Sequence, residues 1–279
     1  MKKVDARSNI IGIDLGGTNL RIAIVRNNKI SQYHKEKTPK TAAKVKSRIF
    51  ELIEEYMSNK IKGIAVSSPG PLKDGKIMNT PNLPLKNYDL KKALQNKFRV
   101  PIEVKNDANC FAFAELKLGC KKKNFIILTL GTGIGGGIII DSELYKGEGY
   151  AGELGHIILD DGKHFEQLAS SKRLRKVTIK TFGEPKLFSE LMKMRKKNSK
   201  ANKILEDFGK YYGQGIASIA DSFDPEVIIL SGGVREAGND FLKLIKKHTE
   251  KYSQLPKKTP IKWSKIKHAG ILGAALYFK

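Results

Sequence analysis

The sequence predicts an α/β protein built from two similar halves, because one strand–turn–strand pattern occurs in it twice. Residues 10–25 read IIGIDLGGTNLRIAIV, an apolar run that breaks at a Gly-Gly pair and resumes as an alternating strand. Residues 125–140 read FIILTLGTGIGGGIII and repeat this plan. Helical patterns such as that over 41–60 alternate with short apolar strands such as 61–66. The repetition therefore indicates two α/β halves, each with a glycine-rich hairpin.

The glycine-rich turns are suited to binding phosphate. Glycine has no Cβ atom, so the backbone can bend tightly and its N–H groups can approach an anion. Asp14 ends the first strand just before Gly16-Gly17, where an acid suits Mg²⁺ held through water, and Thr18 adds a hydroxyl. An ordinary hairpin with an acidic strand end is the alternative. The GxGxxG spacing over 131–136 is followed by a strand rather than a helix, which argues against a Rossmann dinucleotide site.

Two further pairs of polar residues, Asn106-Asp107 and Glu153 with His156, lie at positions where they could contact a ligand. Asn106-Asp107 comes at the end of a strand and opens a helix, so it is either a helix N-cap or a carboxylate presented to a ligand. Glu153 and His156 are three residues apart and have four glycines close by, which favours a shaped loop over an ordinary solvated turn. Both groups are candidates for catalysis or binding.

The composition leaves the nature of the partner open. The chain has 279 residues, 40% of them hydrophobic, and a formal net charge of +24. Such a charge suits a polyanion, but the lysines are dispersed with few aromatic residues between them, which favours a solvated basic surface. The stretch 172–200 is predicted to be helical, basic and exposed.

The sequence also bears on compartment. It has no apolar run of about 18 residues, so no membrane-spanning helix is expected. Its basic N-terminal residues run into a strand pattern, unlike a signal peptide. Cys110 and Cys120 have no CxxC spacing and are expected to be free thiols in a reducing compartment, which indicates the cytoplasm.

Taken together, these motifs resemble the ROK family of sugar kinases, within the actin-like, ribonuclease H-like ATPase superfamily. The matching segments, in the family's order, are IGIDLGGTNLRIAIV, SSPGP, PNLP, NDAN, LGTGIGGGII, AGELGH, FEQLAS and VIILSGG. Each is weak alone, but eight in order over nearly the whole chain are specific. The resemblance implies two ribonuclease H-like α/β lobes with a cleft between them, a small N-terminal lobe (1–121 with 265–279) and a larger C-terminal lobe (122–264).

The resemblance also implies an ATP-dependent, glucokinase-like hexose kinase that uses Mg²⁺, with the sugar 6-hydroxyl as the expected acceptor and Asp107 as the catalytic base. The implied sugar-binding residues are Asn82, Asn106, Asp107, Glu153, His156 and Glu166. The implied nucleotide-binding residues are Asp14, Gly16, Gly17, Thr18, Thr132, Gly133, Gly232 and Gly233, with Asp14 also holding Mg²⁺ through water. A homodimer is expected on the same ground.

The chain departs from the family's pattern in one segment. Many members carry a CxCGxxGC zinc cluster between the Glu-x-x-His and the later Glu, whereas residues 157–165 contain no cysteine. His164, Asp160 and Asp161 are a poor substitute by ligand type, so no structural zinc is expected. The sugar preference is therefore open among glucose, mannose and N-acetylhexosamines.

Three alternatives to an ATP-dependent hexose kinase follow. The missing cluster suggests a non-catalytic sugar or nucleotide sensor on the same scaffold, and the high charge suggests inorganic polyphosphate as the phosphoryl donor.

The third alternative is a DNA-binding repressor. Family repressors place a helix-turn-helix domain before the kinase fold. Only about nine residues precede the first strand here, so no DNA-binding domain is expected.

Overall fold

The computed structural model describes residues 8–80 and 82–278. The predictions that involve the basic N-terminal residues 1–7, Pro81 of the PNLP motif and Lys279 lie outside these ranges. The strands, in chain order, are β1 (Asn9–Leu15), β2 (Asn19–Arg26), β3 (Lys29–Lys37), β4 (Ile61–Ser68), β5 (Leu72–Lys73), β6 (Lys76–Asn79), β7 (Lys86–Asp89), β8 (Ile102–Asn106), β9 (Phe125–Leu130), β10 (Ile134–Ile140), β11 (Glu143–Tyr145), β12 (Ile158–Asp160), β13 (Lys163–His164), β14 (Val227–Ser231) and β15 (Ile261–Trp263). The helices are α1 (Ala42–Tyr56), α2 (Leu90–Lys97), α3 (Asp107–Ala114), α4 (Phe165–Ala169), α5 (Ser171–Phe182), α6 (Phe188–Met194), α7 (Ser199–Phe223), α8 (Gly238–Tyr252) and α9 (Ala269–Leu276).

The chain divides into two compact units. The first unit contains the described parts of Met1–Cys120 and Ile266–Lys279 together with Lys146–Ala151. The second unit contains Lys121–Tyr145 and Gly152–Lys265.

The first unit is built on a five-stranded sheet in the order β3-β2-β1-β4-β8, and it also contains the small sheet β5-β6-β7. β1, β2 and β3 are antiparallel neighbours, whereas β4 and β8 run parallel to β1. Side chains alternate between the two faces of a strand. One face of β1 therefore packs with α1 and α2 through residues such as Ile11 and Ile13, and the other packs with α3 and α9 through Ile10.

The helices α3 and α9 touch backbone to backbone. A Cβ atom at Gly273 of α9 would overlap the carbonyl group of Cys110 in α3. Only glycine fits at such a crossing. Cys110 and Cys120 are both free and buried, and burial raises the pKa of the Cys110 thiol far above its usual value.

The second unit repeats the plan of the first. Its sheet has the order β11-β10-β9-β14-β15, with β9, β10 and β11 antiparallel and β14 and β15 parallel to β9. The repeated hairpin predicted from the sequence is thus confirmed. Its core is centred on α7, where Tyr212 packs against Phe165, Phe188 and Phe241.

Two predicted helices differ from the structure. The stretch 172–200 is not one exposed helix: α5 ends at Gly183, which has a left-handed conformation (φ 79°), and α6 starts only at Phe188. Both helices bury apolar side chains, among them Leu174 and Leu191. The helix that Asn106-Asp107 was predicted to open is α3, and it ends in a π-helical turn, Glu115–Gly119. No helix in the described ranges is both long and apolar enough to cross a membrane.

Candidate active site

The first glycine turn joins β1 to β2 and is fixed by hydrogen bonds. The Gly16 N–H donates to the Asn19 carbonyl oxygen at 3.0 Å, which closes the turn. The Thr38 hydroxyl donates to the Gly16 carbonyl oxygen at 2.5 Å, and the Thr38 N–H donates to the Thr18 carbonyl oxygen at 3.1 Å. Gly17 and Thr18, both predicted to bind nucleotide, are exposed at its tip. The turn is therefore rigid and solvent-facing.

The loop that carries Asn82 packs directly on this turn. A Cβ atom at Gly17 would overlap the Asn82 carbonyl oxygen, so a side chain at residue 17 would push the loop away. Thr80 shapes the loop, since its hydroxyl donates to the Leu83 carbonyl oxygen at 2.8 Å and accepts from the Leu83 N–H at 3.1 Å. A predicted sugar-binding residue and a predicted nucleotide-binding residue are thus in contact.

The Asn106-Asp107 pair begins α3, where its two members have different roles. Asn106 is the N-cap: its Oδ1 accepts from the Asn109 N–H at 3.0 Å, and its Nδ2 donates to the Gly70 carbonyl oxygen at 3.2 Å. Asp107 is the first helical residue, is half-buried, and accepts the Ala108 N–H at 2.8 Å. Because Asn106 performs the capping, the carboxylate of Asp107 is not needed for that purpose.

Asp14 is a largely buried carboxylate beside the first turn. Burial raises its pKa, while Arg21, whose Nη1 lies 2.7 Å from Oδ2, and His268 act in the opposite direction. Gly270, in the first turn of α9, lies against the same carboxyl group. A helix N-terminus favours a nearby negative charge, which helps Asp14 to remain ionised there.

The raised pKa of Asp14 predicts a pH-dependent effect of the variant Asp14→Asn. A carboxyl group whose pKa is raised on folding stabilises the protein fully only below its unfolded value of 3.8, and this contribution is lost as the pH rises through the folded value. Asn resembles the protonated form at every pH. Asp14→Asn should therefore have a higher Tm than wild type at pH 8, and the difference should shrink towards pH 4, in thermal melts across this range.

A matched control is Asp240→Asn. Asp240 is exposed, and the hydrogen bond from Lys243 lowers its pKa. The pKa shift of Asp240 is therefore opposite to that of Asp14, and the ionised form of Asp240 is the stabilising one. This variant should gain no Tm at pH 8. A drop in the Tm of Asp14→Asn at pH 8 would contradict the assignment of a net cost to the Asp14 charge.

In the second unit, Glu166 is held on the other glycine turn. Its Oε2 accepts the Ile134 N–H at 2.8 Å and occupies the space that a Cβ atom on Gly133 would need. The turn is closed by a hydrogen bond from the Gly131 N–H to the Gly133 carbonyl oxygen at 2.9 Å. Glu166, predicted from the family resemblance to bind sugar, thus directly contacts residues next to Thr132.

The segment that carries Glu153 and His156 also packs on β10. It forms a 3-10 turn, Leu154–His156, and a Cβ atom at Gly155 would overlap the Ile134 carbonyl oxygen. Glu153 Oε2 lies 3.9 Å from His156 Nδ1, and the two side chains are 44% and 58% exposed. They pair only loosely and face solvent, so both can reach a ligand.

A short hairpin, β12–β13, occupies the segment where many family members have cysteines. The Nδ1–H of His164 donates to the His156 carbonyl oxygen at 2.7 Å, since a carbonyl can only accept. This bond braces the turn that carries His156. Over 8–80 and 82–278 no three His, Cys, Asp or Glu residues are grouped so as to hold a metal ion, and the expected lack of a structural zinc stays a prediction.

Gly232 and Gly233 follow β14 beside the second turn. Gly232 has a φ of 91°, and a Cβ atom there would overlap the Leu130 carbonyl oxygen at the end of β9. A Cβ atom at Gly233 would meet no atom of the described residues within 4 Å. Packing within the protein therefore explains Gly232 but not Gly233, which borders open space.

Comparison with known proteins decides the family. The model of the ROK family matches residues 10–279. The chain belongs to the ROK family. This confirms the resemblance drawn from the motifs, and with it the fold class of two-lobed actin-like ROK kinases.

Relatives of this ROK protein differ in activity. It is 28% identical over 288 residues to an N-acetylmannosamine kinase of Haemophilus influenzae, covering 96% of this chain and 95% of the relative. It is 33% identical over 209 residues to a xylose repressor of Bacillus subtilis, covering 69% of this chain but 54% of the repressor. A ROK family glucokinase from Streptomyces griseus, solved with glucose and AMPPNP, superimposes with a TM-score of 0.85 at 25% identity, covering 97% and 99% of the two chains.

The sequence interpretation missed several residues that shape this candidate site. Arg21 could have been found, because residues 14 and 21 are equally far from the centre of a two-strand hairpin and so face each other. Thr38 and His268 could not have been found in this way. Their contacts join segments distant in the sequence, and no local pattern indicates them.

Proposed function

We propose that this ROK protein is a glucokinase-like enzyme that transfers the γ-phosphoryl group of ATP to a hexose hydroxyl, with the 6-hydroxyl as the expected acceptor. The contact between the Gly17 turn and the Asn82 loop carries this proposal. Phosphoryl transfer needs donor and acceptor groups close together. The Gly17 turn has exposed backbone amides for the donor, and the adjacent loop carries the Asn82 side chain for the acceptor. Both lie in the first unit, so the proposed donor and acceptor groups are close together.

Asp107 is the proposed general base. The attacking hydroxyl must lose its proton as the bond to phosphorus forms, and a carboxylate within hydrogen-bond reach can accept it. The hydrogen bond from Asn106 to Gly70 fixes the start of α3, and the Ala108 N–H holds one oxygen of the Asp107 carboxylate. Asn82 and Asn106 are proposed to bind neighbouring sugar hydroxyls, so that one hydroxyl is directed at the donor.

The remaining catalysis is electrostatic. The turn formed by Gly16, Gly17 and Thr18 is proposed to bind phosphate oxygens. The Gly16 N–H closes this turn, and backbone N–H groups at its exposed tip, Gly17 and Thr18, are proposed as the preorganised donors that stabilise the charge of the transition state. Asp14 offers a hard oxygen ligand beside this turn and fits a Mg²⁺ ion held through water, which would neutralise phosphate charge.

The second unit supplies the other proposed contacts. Glu153 and His156 are half-exposed polar groups on a turn fixed to β10, and we propose that they bind sugar hydroxyls. For Glu166 the bond to the Ile134 N–H favours a combined role, in which one carboxylate positions the turn and meets the sugar. Thr132, Gly133, Gly232 and Gly233 are proposed to line the nucleotide, of which Gly233 already borders open space.

The test is turnover of the purified full chain with Mg²⁺ and ATP against glucose, mannose, N-acetylglucosamine and N-acetylmannosamine. ADP release in a coupled assay should saturate with at least one sugar, and ³¹P NMR should identify a 6-phosphate. Replacing ATP by inorganic polyphosphate in a parallel series tests the other donor. If no sugar is phosphorylated but one binds by calorimetry, the protein is a sensor, the alternative that its similarity to a xylose repressor supports.

Other properties expected from the family resemblance are kept as proposals. They are the homodimer, the cytoplasmic location in carbohydrate metabolism, the absence of structural zinc, and the division into lobes 1–121 with 265–279 and 122–264. Light scattering and metal analysis of the purified protein address the first and third directly.

A further inference from the structure

We propose that Arg21 is a phosphate-binding residue of this site, whose guanidinium group contacts the terminal phosphates of a bound nucleoside triphosphate while Asp14 anchors it. The inference rests on the proposed function, because it names a further residue for the same donor. With this role, the protein itself supplies a positive charge next to the negatively charged terminal phosphates.

The hairpin register directs Arg21 to the glycine turn. β1 and β2 pair so that Arg21 lies directly opposite Asp14, and both side chains project from the face of the sheet that α9 covers. Arg21 Nη1 lies 2.7 Å from Asp14 Oδ2 and 4.0 Å from the position that a Cβ atom on Gly16 would take. The guanidinium group is therefore beside the first glycine of the turn.

Arg21 keeps hydrogen-bonding capacity that the described residues do not use. A guanidinium group has five N–H donors in a planar fork. In the described part of the chain Asp14 is the hydrogen-bond partner of Arg21, and the Arg21 side chain is 29% exposed. Arg48, by contrast, donates to the three carboxylates of Glu36, Glu51 and Glu55. Arg21 can thus hold Asp14 and an anion together.

The local charges favour phosphate as that anion. An arginine fork matches phosphate oxygens and forms short, charge-assisted hydrogen bonds with them. The first turn of α9 and the backbone amides of the glycine turn are further positive ends close by. The positive field of Arg21 also extends to His268, whose pKa is lowered by burial and then by this neighbouring cation. A triphosphate entering here meets a prepared positive surface.

The decisive experiment compares Arg21→Ala, Arg21→Lys and Arg48→Ala in nucleotide binding and turnover. By calorimetry with Mg²⁺, Arg21→Ala should weaken ATP binding at least about tenfold and leave AMP binding within twofold, since AMP lacks the terminal phosphates. With the preferred sugar, kcat should fall about 10²-fold or more while the sugar KM stays constant. Added guanidinium ion should restore part of this loss.

The controls separate phosphate binding from a structural ion pair. Arg21→Lys should lie between wild type and Arg21→Ala, because it keeps the charge without the fork. Arg48→Ala breaks a larger ion-pair network in the same unit and should lower Tm without changing kcat or ATP binding. If Arg21→Ala weakens ATP and AMP binding equally, or only lowers Tm, the proposal is overturned.

Two further outcomes separate this proposal from the proposed function. If Arg21→Ala weakens ATP binding selectively but the wild-type protein phosphorylates no sugar, the Arg21 assignment is supported and the kinase function is rejected. If the wild-type protein binds no ATP, both are rejected.

Discussion

Changing Asp107 to Asn is expected to lower kcat for sugar phosphorylation by about 10³-fold, within the range of about 10²–10⁴ for loss of a general base. Asn keeps the size of the side chain and can still accept the Ala108 N–H through its oxygen. It cannot take a proton from a hydroxyl. The N-cap, Asn106, is untouched, so Tm should change by less than about 2 °C, which corresponds to less than about 1 kcal/mol.

The measurement is initial-rate kinetics at saturating ATP and sugar, with sugar binding followed separately by calorimetry. Asp89→Asn is the matched control, because Asp89 is the N-cap of α2 and accepts the Lys92 N–H at 2.9 Å. Asn is an equally good N-cap, so this variant should have wild-type kcat. Undiminished turnover of Asp107→Asn would remove Asp107 from the mechanism.

Changing Gly273 to Ala is expected to destabilise the first unit by about 2–3 kcal/mol. The new methyl group would overlap the Cys110 carbonyl group, and neither backbone can retreat because α3 and α9 both pack on the sheet. Overpacking costs about 1–3 kcal/mol and more where backbone is struck. The helix propensity of Ala returns up to about 1 kcal/mol, which does not offset the overlap.

Thiol labelling reports this change unit by unit. Cys110 and Cys120 are buried in the first unit, whereas Trp263, the single tryptophan, lies in the second. In a urea series, Gly273→Ala should expose its thiols to maleimide at lower urea than wild type, while the Trp263 fluorescence transition moves less. Gly131→Ala is the control, because a Cβ atom there meets no atom of residues 8–80 or 82–278 within 4 Å. Equal labelling midpoints for Gly273→Ala and wild type would refute the steric account.

Much of the fold was predictable because it depends on local signals. The Gly16-Gly17 break between two strand patterns and its repetition at 131–133 predicted both hairpins, which are β1–β2 and β9–β10 in the structure. The break between α5 and α6 was missed, although Gly183 is followed by Glu184-Pro185, a sequence that stops helices. The many lysines of this stretch led to the prediction of an exposed helix, and the apolar residues that α5 and α6 bury were overlooked.

The candidate site was only partly predictable. The motifs identified the candidate site residues. The hydrogen bonds and packing of each residue depend on contacts between segments that are distant in the sequence. Glu166 illustrates this, since nothing in FEQLAS indicates that its carboxylate accepts the Ile134 N–H. Packing of Gly17 on Asn82 and of Gly155 on Ile134 is likewise invisible locally, because a glycine in a sequence does not reveal what comes close to it.

The position of α9 in the sequence has a consequence for how the protein is made. Ile271, Ala274 and Phe278 complete a cluster with Ile10 and Ala23 in β1 and β2. All elements of the second unit leave the ribosome before this segment does. A nascent chain therefore holds β1 and β2 with one apolar face that α3 can cover but α9 cannot yet reach while the other unit folds. Chaperones that shield such faces would have their longest opportunity here.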